Sequence, residues 1–345
     1  MRSITLGTIA AIPLLLLAGC NSDGSDPAGE GTLTIGLTDG PVESAERVVI
    51  AFSGIELKQS GAAPLDPITL DEASCDDFDA ATGTCSIDLL TLTGTNRKVV
   101  FNETIDAGQY EWVRLMVDAE RNVMDSYIEF EDGTSCPLYI PSGSETGLKI
   151  VSGITVTANG MSDYTLDFDV RKSVTAPPGL QTGDTEACTQ NYILKPAIRI
   201  VDTTEVGAIG GTVDEQLLAD AECTVDDVSG LYQNTAVYIF ENFDGAAVAD
   251  DLDEDATHRD PVTTASVVFD GDPAVNAYVY EAGYLLAPED YLAALTCSSD
   301  LDDAATDDLD PTSEPIGDFT FIAERTVVTE VDTIVDGSFS AAATE

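Results

Sequence analysis

Between residues 32 and 58 the runs TLTIGLTD and RVVIAFSGIEL carry apolar side chains at nearly every second position. Successive side chains of a strand point to opposite faces, so a period of two predicts half-buried β-strands. The pattern returns in YEWVRLMVD, LKIVSGITVT, YTLDFDV and YILKPAIRIV. Beyond residue 204 it continues in GAIGGTVD, AVYIF, TTASVVF, AYVYEAGYLLAPEDYLAALTC, FTFIAERTVV and VDTIVDG. Gly, Pro, Asn and Asp punctuate the runs and sustained helical periods are few, which predicts an all-β chain of two β-sandwich domains, residues 31–204 and 205–345. LDEASCDDFDAATGTCSIDLL reads as an acidic hairpin inserted in the first domain.

Alternation also assigns faces. In a strand over 164–174, Tyr164, Leu166, Phe168 and Val170 point one way and Thr165, Asp167, Asp169 and Arg171 the other. In a strand over 193–201, Leu194, Ile198 and Ile200 share a face opposite Lys195 and Arg199, and Lys149 lies opposite Leu148 and Ile150. Asp167, Asp169, Arg171, Lys195 and Arg199 are therefore expected to form a charge cluster of cross-strand pairs on an outer sheet face, each pair contributing about 0.2–1 kcal/mol. Lys172 falls on the apolar side by count and is expected at the strand end, reaching outward. Pro196 lacks an N–H, which makes 193–201 an edge strand or one whose proline faces outward.

The N-terminus, MRSITLGTIAAIPLLLLAGC, breaks the β pattern. One cation precedes an apolar run too short to span a bilayer, the arrangement of a signal peptide over residues 1–19. Leu17-Ala18-Gly19-Cys20 resembles a bacterial lipobox, which implies diacylglyceryl attachment to the Cys20 thiol, cleavage before it and acylation (palmitate or similar) of the new amine. Several acyl chains on one residue anchor a protein durably. Asn21 follows the cysteine in place of the aspartate that retains lipoproteins in the inner membrane, so an outer-membrane lipoprotein of the bacterial cell envelope is expected. Residues 20–30, polar and bearing Gly and Pro, read as a flexible tether.

Six cysteines remain, an even number in an exported chain, with 15 possible pairings. Sequence proximity and the domain split favour the disulfides Cys75–Cys85, Cys136–Cys188 and Cys223–Cys297. Zinc is the rival, but there is no CxxC pair and the only histidine, His258, lies among carboxylates.

Charge then limits partners. The 63 acidic and 14 basic residues give a formal charge of −49, which argues against nucleic acid, anionic lipid headgroups and polyphosphate. Acid-rich segments offer one chemical opening. Asp251, Asp253 and Asp255 begin like an EF-hand loop, but Ala256 replaces its glycine and Val262 its twelfth-position ligand. With DLDDAATDDLD at 300–310 they make weak Ca²⁺ binding conceivable; otherwise no cofactor is expected. A Ser-His-Asp or Cys-His site would need His258, and no P-loop, GxSxG or dinucleotide fingerprint occurs. Paired carboxylates for glycoside hydrolysis are hidden among so many acids. Trp112, the only tryptophan, shares a strand face with Arg114 and Met116.

GTLTIGLTDGPVESAERVVIAFSGIELK, GQYEWVRLMVD, PSGSETGLKIVSGITV, YTLDFDVRKSV and YILKPAIRIV together resemble, in order from about Gly31 to Asp202, the domain of unknown function (DUF) 4382 family of secreted proteins, many of them lipoproteins. That resemblance implies an extracytoplasmic β-sandwich and no activity. The second domain's Gly-x-Ile-x-Gly-x-Val opening, its Val-Tyr-x-Phe strand and its turn into Tyr291 resemble the transthyretin-like or carboxypeptidase-regulatory-like sandwich. AGQYEWVRLMV shows a similar turn-Tyr-strand pattern in the first domain. The expected function is a non-enzymatic, lipid-anchored binding or scaffolding protein, with an envelope protein or glycan as partner. The alternatives are a polysaccharide-acting enzyme using paired carboxylates and a calcium-dependent adhesion or carbohydrate-binding module.

Overall fold

The computed structural model describes residues 29–40, 45–70, 72–130, 132–141, 147–177, 185–195, 197–242, 249, 260–272, 276–302 and 319–341. Cys20, Asp251, Asp253, Asp255, His258 and most of the 300–310 segment lie outside the described residues. Among the described residues no helix is long and apolar enough to cross a membrane.

The first domain runs through β1 (Glu30–Gly40), β2 (Ala45–Gln59), β3 (Asp77–Asp79), β4 (Thr84–Asp88), β5 (Lys98–Asp106), β6 (Gly108–Asp118), β7 (Tyr127–Phe130), β8 (Ser135–Tyr139), β9 (Leu148–Ile150), β10 (Ile154–Val156) and β11 (Met161–Asp169). The short helix α1 (Val170–Ser173), β12 (Val174–Thr175), α2 (Thr185–Gln190), β13 (Tyr192–Leu194) and β14 (Ile198–Asp202) complete it. One sheet has the order β14-β11-β1-β5; the larger runs β10-β6-β2-β7-β8-β13-β12, with β4 on β2, β3 on β4 and β9 on β6. Leu33, Ile35 and Leu37 of β1 and Leu166 and Phe168 of β11 meet Ile50 and Phe52 of β2 between the sheets, all at 0% exposure.

Alternation in β2 changes phase: Val48, Ile50 and Phe52 face inward, then Ile55 and Leu57. Pairing with β6 shifts register between Phe52 and Gly54, and an inserted residue returns the next apolar positions to the core. Gly54 permits this, because a Cβ there would stand 2.7 Å from the Ile68 carbonyl oxygen. A second shift, between Lys58 and Gln59, lets Tyr110 face the core while Trp112 faces outward with Arg114.

Two expected strands are shorter than alternation suggests. β11 ends at Asp169, whose carboxylate accepts a hydrogen bond from the Lys172 N–H at 3.1 Å and caps α1. Aspartate offers the backbone such a turn in competition with the sheet. Arg171 and Lys172 therefore belong to α1 and not to a strand face. The run 193–201 also divides: β13 pairs with β8 and β12, while β14 pairs with β11 in the other sheet. The break falls between Leu194 and Ile198; Pro196, named above as the ladder breaker, lies outside the described residues. Lys195 thus leaves the expected cluster, since its strand lies in the opposite sheet, whereas β14 is an edge strand.

The second domain contains β15 (Val206–Val213), α3 (Glu215–Asp220), β16 (Ala236–Glu241), β17 (Thr263–Ser266), β18 (Val268–Asp270), β19 (Ala277–Leu286), β20 (Asp290–Thr296), β21 (Phe321–Val328) and β22 (Ile334–Asp336). Sheets β18-β19-β15-β22 and β17-β16-β20-β21 enclose a core around Ile209, Val237, Ile239, Leu285 and Leu295. The unbroken apolar run AVYIF of β16 reflects burial on both faces: Val237 and Ile239 enter this core, while Ala236, Tyr238 and Phe240 pack with Leu292 and Phe319 on the far side. Three disulfides, Cys75–Cys85, Cys136–Cys188 and Cys223–Cys297, join residues whose Cα atoms lie 5.1, 4.7 and 5.5 Å apart.

Candidate functional site

The charged outer face of the β14-β11-β1-β5 sheet is not open to solvent. Asp167 pairs with Arg199 directly across β11 and β14, with Arg199 Nε donating to Asp167 at 3.2 Å. Thr165 and Asp167 are buried, and Thr165 shares a 2.9 Å hydrogen bond with Thr203. The second domain lies beside this face: β1 touches β17, and Val201 packs with Val206 and Tyr284. From the loop before β5, the Thr95 N–H donates to Glu281 at 2.8 Å, and Tyr284 donates its hydroxyl to the Thr95 carbonyl at 3.0 Å. Gly283 meets Gly94 so closely that a Cβ on Gly283 would stand 2.2 Å from the Gly94 carbonyl oxygen. Arg171 and Lys172 reach Asp302 and Asp260 of the second domain. Of the five residues expected as one cluster, the structure keeps Asp167 with Arg199, gives Asp169 a capping role, turns Arg171 to the other domain and removes Lys195.

Burial raises three carboxyls here. Desolvation, followed by the nearby charges of Asp167 and Asp169, lifts Asp39 well above the ordinary range. Among the described residues neither Asp39 oxygen has a well-formed hydrogen-bond partner. Asp167 is raised by burial against the opposing pull of Arg199. Asp169 is pushed up to about 6, burial outweighing the Lys172 N–H and ammonium. Among the described residues no group of three or more His, Cys, Asp or Glu side chains is placed to hold a metal ion.

The open site lies on the first domain's other outer face. A cleft of about 490 Å³ is lined by Asp76, Asp77, Asp79, Asp88, Asp118 and Asp125, with Arg47, Met124 and Tyr127 among the other walls. Its floor is the outward side of β2, Val49 and Ala51, and the disulfide-closed hairpin β3–β4 supplies a wall. Arg47 Nε donates to Asp88 at 3.1 Å, and the Val48 N–H reaches the same carboxylate at 3.2 Å. Arg47 also donates to the Tyr127 hydroxyl at 3.2 Å. Burial alone would raise Asp76, but Lys98 and the Asp88 N–H outweigh it and hold this carboxyl below the usual range. Asp125 moves the other way, raised by burial and then by Asp118 and Glu120. The sequence reading treats this hairpin as an insertion and assigns no site to it; the available signal is the acid density of CDDFDAATGTC beside β2's outward small residues.

Trp112 is only 8% exposed, with Arg114 and Lys149 each 4.7 Å from its ring centre, so it offers no open stacking platform.

Residues 30–196 match the family model described as Domain of unknown function (DUF4382). This span coincides with the first sandwich up to the break before β14. No curated protein matches the chain. Among solved structures, GBS52, the minor pilin of the Gram-positive pathogen Streptococcus agalactiae, is 9% identical with a TM-score of 0.17, covering 89% of this chain and 94% of its own. A putative cell adhesion protein from Parabacteroides distasonis is 10% identical with a TM-score of 0.17, covering 77% of this chain and 78% of its own. The major pilin of Streptococcus pyogenes is 10% identical with a TM-score of 0.15, covering 89% and 96%. TM-scores this low leave the fold assignment to the strands described above.

Proposed function

We propose that this is a non-enzymatic, lipid-anchored cell-envelope protein whose first sandwich binds or scaffolds an envelope component through its acidic cleft. The observation behind this reading is the use made of the cleft's carboxylates. Asp88 serves Arg47 and a backbone N–H, and Asp76 is held as an anion by Lys98. An anionic, open cleft suits a cationic or hydroxyl-rich surface, whether an envelope protein or a glycan. Retaining or inverting glycosidases need one carboxyl kept protonated to serve as an acid, and Asp125 is the cleft's candidate for that rival role. The lipobox at Cys20 supports attachment to the membrane, and Asn21 supports the outer one.

Incubation with a panel of envelope polysaccharides tests the binding reading against the enzymatic one. The full chain should be retained on its target without releasing reducing ends, and Asp76→Asn with Asp79→Asn should weaken retention. Release of reducing ends that Asp125→Asn abolishes would establish the enzyme instead. For anchoring, Cys20→Ser should leave the protein unprocessed or shed from membranes. Wild-type fractionation of that variant would refute lipidation.

A further inference from the structure

We propose that Arg171 and Lys172 form a two-pronged clamp that binds the second domain to the first and makes the two sandwiches one cooperative body. Each prong ends on an aspartate beside an acid-rich segment of the second domain. Asp260 follows the run 250–255 and Asp302 opens the run 302–310. The first prong is buried: the Arg171 and Asp302 side chains are 5% and 0% exposed, with Nη1 3.3 Å from the carboxylate. The Tyr238 hydroxyl lies between them, accepting from Arg171 and donating to Asp302, and the guanidinium carbon sits 5.2 Å from the Tyr238 ring centre. A planar guanidinium that satisfies a phenol, a carboxylate and a ring face together allows one relative orientation. The second prong, Lys172 to Asp260, is more exposed at 22% and 36% and contributes less.

Incidental ion pairs between touching domains would show long, solvated side chains, and the first prong does not. Two further restraints act with it. The connection from β14 to β15 is three residues, Thr203–Glu205, wound as a 3-10 turn whose start is capped by Asp202. The Gly94–Gly283 contact and the Thr95–Glu281 bond pin the domains through a separate loop. Association therefore fixes rotation as well as distance.

The chain carries its own reporter, because its single tryptophan, Trp112, lies in the first domain. Urea unfolding of the full, disulfide-intact chain is followed by Trp112 fluorescence and by far-UV circular dichroism. Asp302→Asn and Tyr238→Phe, both in the second domain, should lower the Trp112 midpoint, Asp302→Asn the more. Arg171→Met should do the same, and combining it with Asp302→Asn should cost no more than the larger single effect. Lys172→Met should give a smaller shift. A Trp112 transition that stays at its wild-type midpoint in Tyr238→Phe and Asp302→Asn, while circular dichroism records earlier loss of the second domain, would overturn the clamp. Additive shifts for Arg171 and Asp302 would overturn it as well. If Asp302→Asn does not fold, Tyr238→Phe, which keeps the ring, decides alone.

Discussion

The two sandwiches partner their carboxylates in different ways. The first has cations to place: Arg47 on Asp88, Lys58 on Glu111, Arg114 on Glu56 and Arg199 on Asp167. Beyond residue 204 there are 33 acidic residues and only Arg259 and Arg325. There, backbone N–H groups serve instead. Asp214 accepts from Gln216, Asp226 from Val228 and Ser229, Asp270 from Asp272, and Asp336 from Ser338. Ion pairs weaken with salt, while short-range turns of this kind are largely indifferent to it. A chain poor in lysine and arginine can therefore stay strongly acidic if its aspartates sit where the backbone itself turns, and spend most of its cations in the other domain.

The largest test of this contrast removes a covalent restraint from the domain that has only one. Cys223→Ala with Cys297→Ala opens a span of 74 residues and should destabilise the second domain by about 4.5 kcal/mol in the chain-entropy model. Opening Cys75–Cys85, a span of 10, should cost about 2.5–3 kcal/mol in the same model. Denaturant midpoints of the two variants compare them, and a larger loss from the short bridge would contradict the ranking.

Next come two tyrosines in matching turns. Tyr110 returns its hydroxyl to the Asp106 carbonyl at 2.8 Å, and Tyr291 to the Leu286 carbonyl at 3.3 Å. Removing such a hydroxyl costs about 1 kcal/mol. Tyr110→Phe should lower the unfolding midpoint more than Tyr291→Phe, because its bond is shorter.

Acid separates the domains by sign. Asp39, Asp167 and Asp169 hold their protons more tightly folded than unfolded. Their contribution is full below the ordinary carboxylate range and is lost as pH rises, for Asp169 through about 6. Asp226 is lowered by the Ser229 N–H and hydroxyl, and Asp336 by the Ser338 hydroxyl and N–H. Their contribution is present at neutral pH and lost as pH falls through their depressed values. Moving from pH 7 to pH 5 should therefore raise the Trp112 midpoint, and Asp169→Asn, which keeps a capping side chain, should flatten that rise. An equal rise in the variant would remove Asp169 from the account.

The smallest expected effect concerns calcium at the acid-rich segments. At matched ionic strength, millimolar Ca²⁺ should stabilise the chain slightly more than NaCl, with affinity of roughly 10⁻⁴–10⁻³ M. Asp253→Asn with Asp255→Asn should erase the difference. Identical melting curves in the two salts would mark these segments as a solvated acidic surface.

Much of this architecture was legible because burial writes itself into alternation. Leu166 and Phe168 fall on the core face, Asp167 opposite, and Asp167 meets Arg199 across the sheet. What alternation could not show was where a strand stops. The cap at Asp169 and the switch of sheets between Leu194 and Ile198 act locally, and each redirected cations that the count had placed on one face. Burial of the outer face was hidden for another reason. Thr165, Asp167 and Arg199 look like surface residues, since polar domain contacts resemble solvated sheet in composition. The cleft escaped notice because its acids come from an inserted hairpin and from distant strands, and only β4's pairing with β2 brings them together.

All three disulfides close inside one domain or the other: two before residue 189, one after residue 222. No bond of the leading half therefore waits on a cysteine of the trailing half. The trailing half then needs a single bond of its own. Among the described residues, contact between the two sandwiches carries no disulfide, so packing and polar bonds alone hold the halves together.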